Sequence, residues 1–174
     1  NKYEIQSKTH VNQFNSIGGI EASVKLGALS VDHLEEMKEE DYFALENSEC
    51  MPTILPSCSF FLGIPYGPAK EMIARGLPVA LATDYNPGTS PSGNMNLIAS
   101  LGCTQMKMTP EQVINATTIN TAYAMGVEKE LGSICVGKKA NLFITKEIPS
   151  YSYLAYSFGE NIISRVIING KIIL

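Results

Sequence analysis

The sequence predicts an α/β protein built on a parallel sheet, followed by a β-rich tail. Three observations carry that expectation. Between residues 8 and 82, short apolar runs alternate with segments of helical spacing, and strand followed by crossover helix is the arrangement that makes successive strands parallel. The run at 77–82 carries no charge and gives way to Thr83-Asp84-Tyr85-Asn86-Pro87-Gly88, as a buried parallel strand does where it stops. Beyond Gly126 the helical spacing ends and β runs take over, closing on Asn169-Gly170, the strongest short hairpin signal.

Residues 1–8 are polar and lead into a short strand that carries His10. From 16 to 27, Ile17, Ile20 and Val24 recur at helical spacing and Gly27 closes the helix. The second strand, 28–31, ends in Asp32-His33-Leu34, and a charged surface helix over 35–45 presents Met37, Phe43 and Leu45. The third strand, 52–55, runs into Pro56-Ser57-Cys58-Ser59. A helix over 68–76, with proline at its start and glycine at its end, delivers the chain to the fourth strand. After a loop rich in Gly, Pro and Ser at 86–93, Met95, Ile98, Leu101 and Met106 mark a helix. Thr109-Pro110-Glu111-Gln112 then starts another, with a reciprocal cap, that runs to about 125–126. Residues 133–145 are strand-like around a Gly137-Lys138-Lys139 turn, and 164–174 are two β runs. Isolated hairpins are marginal in water, so this tail must pair either with the α/β part or with strands outside these residues.

The 174 residues, 45% hydrophobic and 17% charged, suffice for one domain with a sizeable core. A net charge of −4 without any basic run argues against nucleic acid, no apolar stretch reaches the length of a membrane span, and the start does not resemble a signal peptide. Cys50, Cys58, Cys103 and Cys135 lack CxxC spacing and read as reduced, buried thiols of a cytoplasmic protein. The chain opens on Asn1 in mid-pattern, which leads to the expectation of a fragment of a longer polypeptide.

Function is expected where strands end. In parallel α/β folds the carboxyl ends of the strands face one ligand-binding edge, and His10, His33 and Asp84 each fall at such an end. A carboxylate in a buried strand needs a metal, a proton or an amine as partner, and imidazole with carboxylate suits zinc or a similar ion. The alternatives are that Asp84 caps the following turn and that the histidines orient loops. Gly88 lets backbone approach a ligand closely, while Asn86 and Thr89 offer side-chain hydrogen bonds; an ordinary turn would look the same.

The segment Leu-Ala-Thr-Asp-Tyr-Asn-Pro-Gly-Thr-Ser-Pro at 81–91 resembles the final-strand motif of the imidazolonepropionases, metal-dependent enzymes of the amidohydrolase superfamily. Also similar are Lys-Thr-His-Val-Asn-Gln at 8–13, Leu-Ser-Val-Asp-His-Leu at 29–34, Leu-Pro-Ser-Cys-Ser-Phe-Phe-Leu at 55–62 and the superfamily-wide tail motif at 132–141. The resemblance runs in register over nearly the whole chain. It implies the C-terminal part of a (β/α)8 TIM-type barrel at 1–126 and β strands of a composite small domain at 127–174. It implies hydrolysis of 4-imidazolone-5-propanoate to N-formimidoyl-L-glutamate in histidine degradation, one zinc or iron ion, a small-molecule substrate and a homodimer at full length. By resemblance His10 and Asp84 match metal ligands, and His33, with Asp84, the catalytic groups beside the reacting water. Gln13 faces substrate, and Asn86, Gly88 and Thr89 match the segment that holds the glutamyl part.

Two departures matter. The family's His-x-His metal pair is missing from these 174 residues, so the resemblance covers roughly the C-terminal two-fifths of such an enzyme, and the chain alone is expected to be inactive. Gln13 stands where many members have Glu, and an amide cannot serve as a general base, which leaves that role to His33 or Asp84. Another cyclic amidohydrolase, or a non-catalytic folding or interaction partner, is the alternative reading.

Overall fold

Strands of two to four residues gain stability only by joining a common sheet, and four of them do so here. The computed structural model describes residues 6–174. β1 (Lys8–Val11), β2 (Ser30–His33), β3 (Met51–Ile54) and β4 (Ala80–Leu81) lie side by side in chain order, each parallel to the next. The crossovers are α1 (Gly19–Lys25), α2 (Glu39–Glu46), and α3 (Pro56–Leu62) with α4 (Ala69–Ala74). Val31, Ile54 and Leu81 from the strands are fully buried against Ile20, Leu45 and Met72 from these helices. At about 1.5–3 kcal/mol per buried aliphatic side chain, this layer is the main source of stability.

The opposite face of the sheet is polar. The Thr9 hydroxyl bonds Ser23 of α1 at 2.7 Å, so Thr9 faces the helices and its neighbours Lys8 and His10 face away. Strand register places His10 beside Asp32, Asp32 beside Thr53 and Thr53 beside Ala80. Near the strand starts this face is covered by α7 (Ile119–Ala124): the Lys8 ammonium donates to the Ala124 carbonyl at 2.9 Å, and Asn120 donates to the Val79 carbonyl at 2.8 Å. Near the end of β1 the His10 side chain on this face is exposed, whereas Asp32 and Thr53 are buried.

Beyond β4 come α5 (Met95–Thr104) and α6 (Pro110–Thr117). The Thr109/Gln112 cap forms as the sequence implies, with Gln112 N–H donating to the Thr109 hydroxyl at 3.3 Å and Thr109 N–H to the Gln112 side chain at 2.8 Å. The tail is a second, antiparallel sheet of β5 (Leu142–Thr145), β6 (Ile163–Ile168) and β7 (Lys171–Ile172). Asn169 and Gly170 have φ of 50° and 77°, the pair of positive values a two-residue hairpin requires.

Several elements differ from expectation. The helix expected over 109–126 breaks at Thr118, whose hydroxyl bonds the Ile114 carbonyl at 2.6 Å while Thr121 bonds Ala116 at 2.6 Å; threonines that bond back to carbonyls bend a helix. The helix expected over 35–45 starts only at Glu39, and Phe43 faces solvent. Residues 56–62, for which the sequence predicts no element, are α3 with Pro56 at its first turn. Only 142–145 of the run at 133–145 is strand, and 77–82 contributes only Ala80 and Leu81. The tail docks through an unforeseen helix, α8 (Tyr153–Tyr156), rather than by adding strands: Asn96 of α5 donates to the Ser157 carbonyl at 3.0 Å, and Ser100 to that of Ala155. Of the polar lead-in, residues 1–5 lie outside the described residues. Among the described residues no helix is long and apolar enough to cross a membrane.

Candidate metal and active site

Regular pleating would keep His10 and His33 on opposite sides of the sheet, since His10 pairs with Asp32 whereas His33 pairs with Val11, which packs among the helices. The backbone breaks that alternation. His33 and Leu34 take φ of 92° and 70°, and Asp84 takes 53° two residues past Ala82. These conformations cost a non-glycine residue on the order of 1–2 kcal/mol each and gather at functional sites. Their result is convergence: one donor atom each from His10, His33 and Asp84 lies within 4.8 Å of the others. The two imidazole rings are 5.1 Å apart, tilted by 58°.

The three donors differ in environment. The His10 side chain is 60% exposed and that of His33 7%. Asp84 lies beyond the carboxyl end of β4, the end at which it was expected, but it is half-buried rather than enclosed as in a buried strand. It does not cap the turn either. Asn86 closes that turn, its carbonyl oxygen accepting from Gly88 N–H at 2.9 Å and Thr89 N–H at 2.8 Å, and its amide donating to the Asp84 main-chain carbonyl at 2.6 Å. The polar atoms of Asn86 and the Gly88 amide are therefore engaged within the loop, and the Thr89 hydroxyl joins them, accepting from the Asn86 amide at 3.2 Å.

Gln13, on the loop after β1, donates through Nε2 to the Cys58 sulfur at 3.3 Å. Burial pushes the Cys58 thiol up, with hydrogen bonding to Thr89 acting against it and the carboxylates of Asp84 and Glu35 acting with it. Cys58 thus joins the Gln13 and Thr89 loops, a role that its reading as a small buried residue did not contain.

Two buried carboxylates border the histidines. Asp32 accepts from the Ser30 hydroxyl at 2.8 Å and lies 3.8 Å from both the Lys8 ammonium and His10 Nε2. Glu35, read from sequence as the first residue of a surface helix, is instead 1% exposed at its side chain; it accepts from the Ser59 hydroxyl at 3.1 Å and lies 3.5 Å from His33 Nδ1. The positive φ at His33 and Leu34 is what turns it inward. Its one sequence signal is its place two residues after a strand-end histidine.

Two imidazoles and a carboxylate at this separation are a donor set that could hold one divalent metal ion. A separate cleft of about 750 Å³ lies between α5, α6 and the tail, lined by Met95, Val113, Phe143, Leu154 and Ile162, away from these groups.

Known proteins resemble this chain in sequence and in fold. The imidazolonepropionase of Flavobacterium johnsoniae is 61% identical over 98% of this chain, and that of Bacillus velezensis 41% over 96%. The chain spans 42% and 40% of their respective lengths. Among solved structures, a zinc-bound adenosine deaminase from Xanthomonas campestris superposes with a TM-score of 0.78 at 19% identity, over 94% of this chain and 44% of its own. An atrazine chlorohydrolase from Arthrobacter aurescens, complexed with zinc and atraton, does so with 0.80 at 15%, over 99% and 45%. These two carry the fold alone, a TIM-barrel type. The family model for the amidohydrolase family matches residues 2–173, and the chain belongs to that family.

Proposed function

We propose that these residues form one side of the active site of an imidazolonepropionase, which hydrolyses 4-imidazolone-5-propanoate to N-formimidoyl-L-glutamate in histidine degradation. In this reading residues 1–126 belong to the catalytic barrel and 127–174 to its small β-rich domain. The observation that carries the reading is the meeting of His10, His33 and Asp84 within 4.8 Å at the strand ends of a chain so similar to enzymes of that name. Polypeptide beyond the 174 residues would supply the remaining ligands and complete the barrel.

His10 and Asp84 would hold the zinc or iron ion, whose chemistry is to polarise a carbonyl and bring water within reach of deprotonation at neutral pH. His33, buried and beside both ligands, is placed to hydrogen-bond the oxygen on which charge develops. Asp84 has a second carboxylate oxygen with which to take a proton from water and return it to the departing ring nitrogen. Gln13 can hydrogen-bond substrate but cannot act as base. Thr89 and the loop that Asn86 and Gly88 shape would receive the propanoate end.

The test is Asp84→Asn in the full-length, metal-loaded protein. It should fold normally, bind less metal and lose most imidazolone hydrolysis, because an amide is a poorer ligand and accepts no proton. A folded variant with full turnover would refute the assignment.

A further inference from the structure

Burying a carboxylate is costly unless something balances its charge or hydrogen-bonds its oxygens. Glu35 has only part of that balance. Its side chain is 1% exposed, one oxygen takes the Ser59 hydroxyl at 3.1 Å, and Oε2 has no hydrogen-bond partner. His33 Nδ1, also buried and also without a hydrogen-bond partner, lies 3.5 Å from Oε1, the oxygen that takes the Ser59 hydroxyl. An unpartnered imidazole nitrogen that close to a carboxylate with one oxygen still free, held by a backbone with two consecutive positive φ values, forms an arrangement that a small rotation of either side chain converts into a hydrogen bond. The segment bearing both is fixed from the neighbouring loop: Glu36 N–H donates to the Asn12 carbonyl at 2.9 Å, and the Asn12 amide to that of Glu36 at 2.9 Å.

We propose that Glu35 is a positioning residue: its carboxylate accepts the Nδ1 proton of His33, fixes the imidazole in that tautomer, and so leaves Nε2 as the nitrogen presented toward His10 and Asp84. Ser59, from α3, holds the carboxylate in place. A histidine that neighbours a metal site can carry its single proton on either nitrogen, and only one choice aims the right atom at the reacting groups. Glu35 does not reach those groups and acts only through His33.

The catalytic part of this inference rests on the hydrolase reading above; the structural part does not. The full-length protein is labelled with 15N-histidine, and the His33 signals are assigned by their loss in His33→Gln. In the metal-free wild type, near neutral pH, His33 should carry its proton on Nδ1. Glu35→Gln keeps a carbonyl acceptor and should keep that tautomer with kcat within about tenfold of wild type. Glu35→Leu removes the acceptor and should shift the proton toward Nε2 and lower kcat about 10–100-fold, with KM and metal content changed far less. A wild-type protein with the proton on Nε2 overturns the proposal, whether or not the leucine variant folds. So does an equal loss of kcat in Glu35→Gln and Glu35→Leu. Absence of any imidazolone hydrolysis together with the Nδ1 tautomer would instead defeat the hydrolase reading and leave the positioning contact standing.

Discussion

Asp41 should hold the loop that carries Asn12 and Gln13, and removing it should cost far more than an ordinary helix cap. Its side chain sits in the first turn of α2 in a residue only 2% exposed, and three donors converge on Oδ2: Ser16 Oγ at 2.7 Å, Lys38 N–H at 2.9 Å and Asn12 Nδ2 at 3.0 Å. Hydrogen bonds to a charged group are worth about 1.5–3 kcal/mol each, so simple addition gives about 4.5–9 kcal/mol. That sum is too large, because Ser16 and Lys38 lie nearer the surface and can turn to water. The buried Asn12 amide keeps only the Glu36 carbonyl. Asp41→Ala should therefore destabilise by about 3–5 kcal/mol, and Asp41→Asn, which preserves neutral versions of these bonds, by about half as much. Urea denaturation of the folded, full-length protein measures both. A loss below about 1 kcal/mol for the alanine variant would mean that the converging donors do not hold the loop.

Three further outcomes are expected. A Cβ at Gly102 of α5 would lie 2.8 Å from Val113 and 3.1 Å from Leu81, so Gly102→Ala should destabilise by about 1–3 kcal/mol despite alanine's better helix propensity; a stabilised variant in the same denaturation assay would contradict the packing described. Burial pushes the Cys50 thiol from 9.0 to about 11, and the charge of Asp32 adds to it. A raised acid pKa favours the folded state while the group is protonated, so this contribution is complete below pH 9 and should fade as pH rises through 11, by about 1 kcal/mol after allowing for solvent screening. Cys50→Ala should flatten that alkaline limb, and an unchanged limb would discount it. Finally, among the described residues the four-stranded parallel sheet has unpaired edges at β1 and β4, so the 174 residues alone should associate or aggregate in light scattering and show no imidazolone hydrolysis with added zinc or iron. An active monomer would overturn that expectation.

What could be read from sequence was what local chemistry determines. The Thr109/Gln112 cap, the Asn169-Gly170 hairpin and the strand-and-helix order each depend on residues within a few positions of one another, and each formed. That His10, His33 and Asp84 lie along one edge was also legible, because strand ends in a parallel sheet share it, but their meeting on one side of that edge depends on the positive φ at His33 and Asp84, which was not. Long-range partners were not. Glu35 reads as a solvated helix residue until the left-handed turn at His33 and Leu34 buries it, and no local preference marks those two residues for positive φ. The break at Thr118 arises from hydroxyls that bond carbonyls, including that of Leu81 in another element. Asn86 and Thr89 looked free to receive a ligand; the loop uses the Asn86 side chain to close itself.

The same contrast explains how the site is built. His10 comes from a strand held by parallel pairing, whereas His33 and Asp84 lie at bends that a non-glycine residue adopts only when its surroundings require it. Those surroundings are identifiable: Asn12 couples the bend after β2 to Asp41 and α2, and Ser90 donates to the Thr83 carbonyl at 2.5 Å, closing the loop in which Asp84 sits. Strain is thus stored in the two groups nearest the chemistry and offset by polar contacts one residue or more away. It follows that substitutions at Asn12, Asp41 or Ser90 should loosen the mutual geometry of His10, His33 and Asp84 as well as stability. A polar contact that merely stabilised the fold would change only the second.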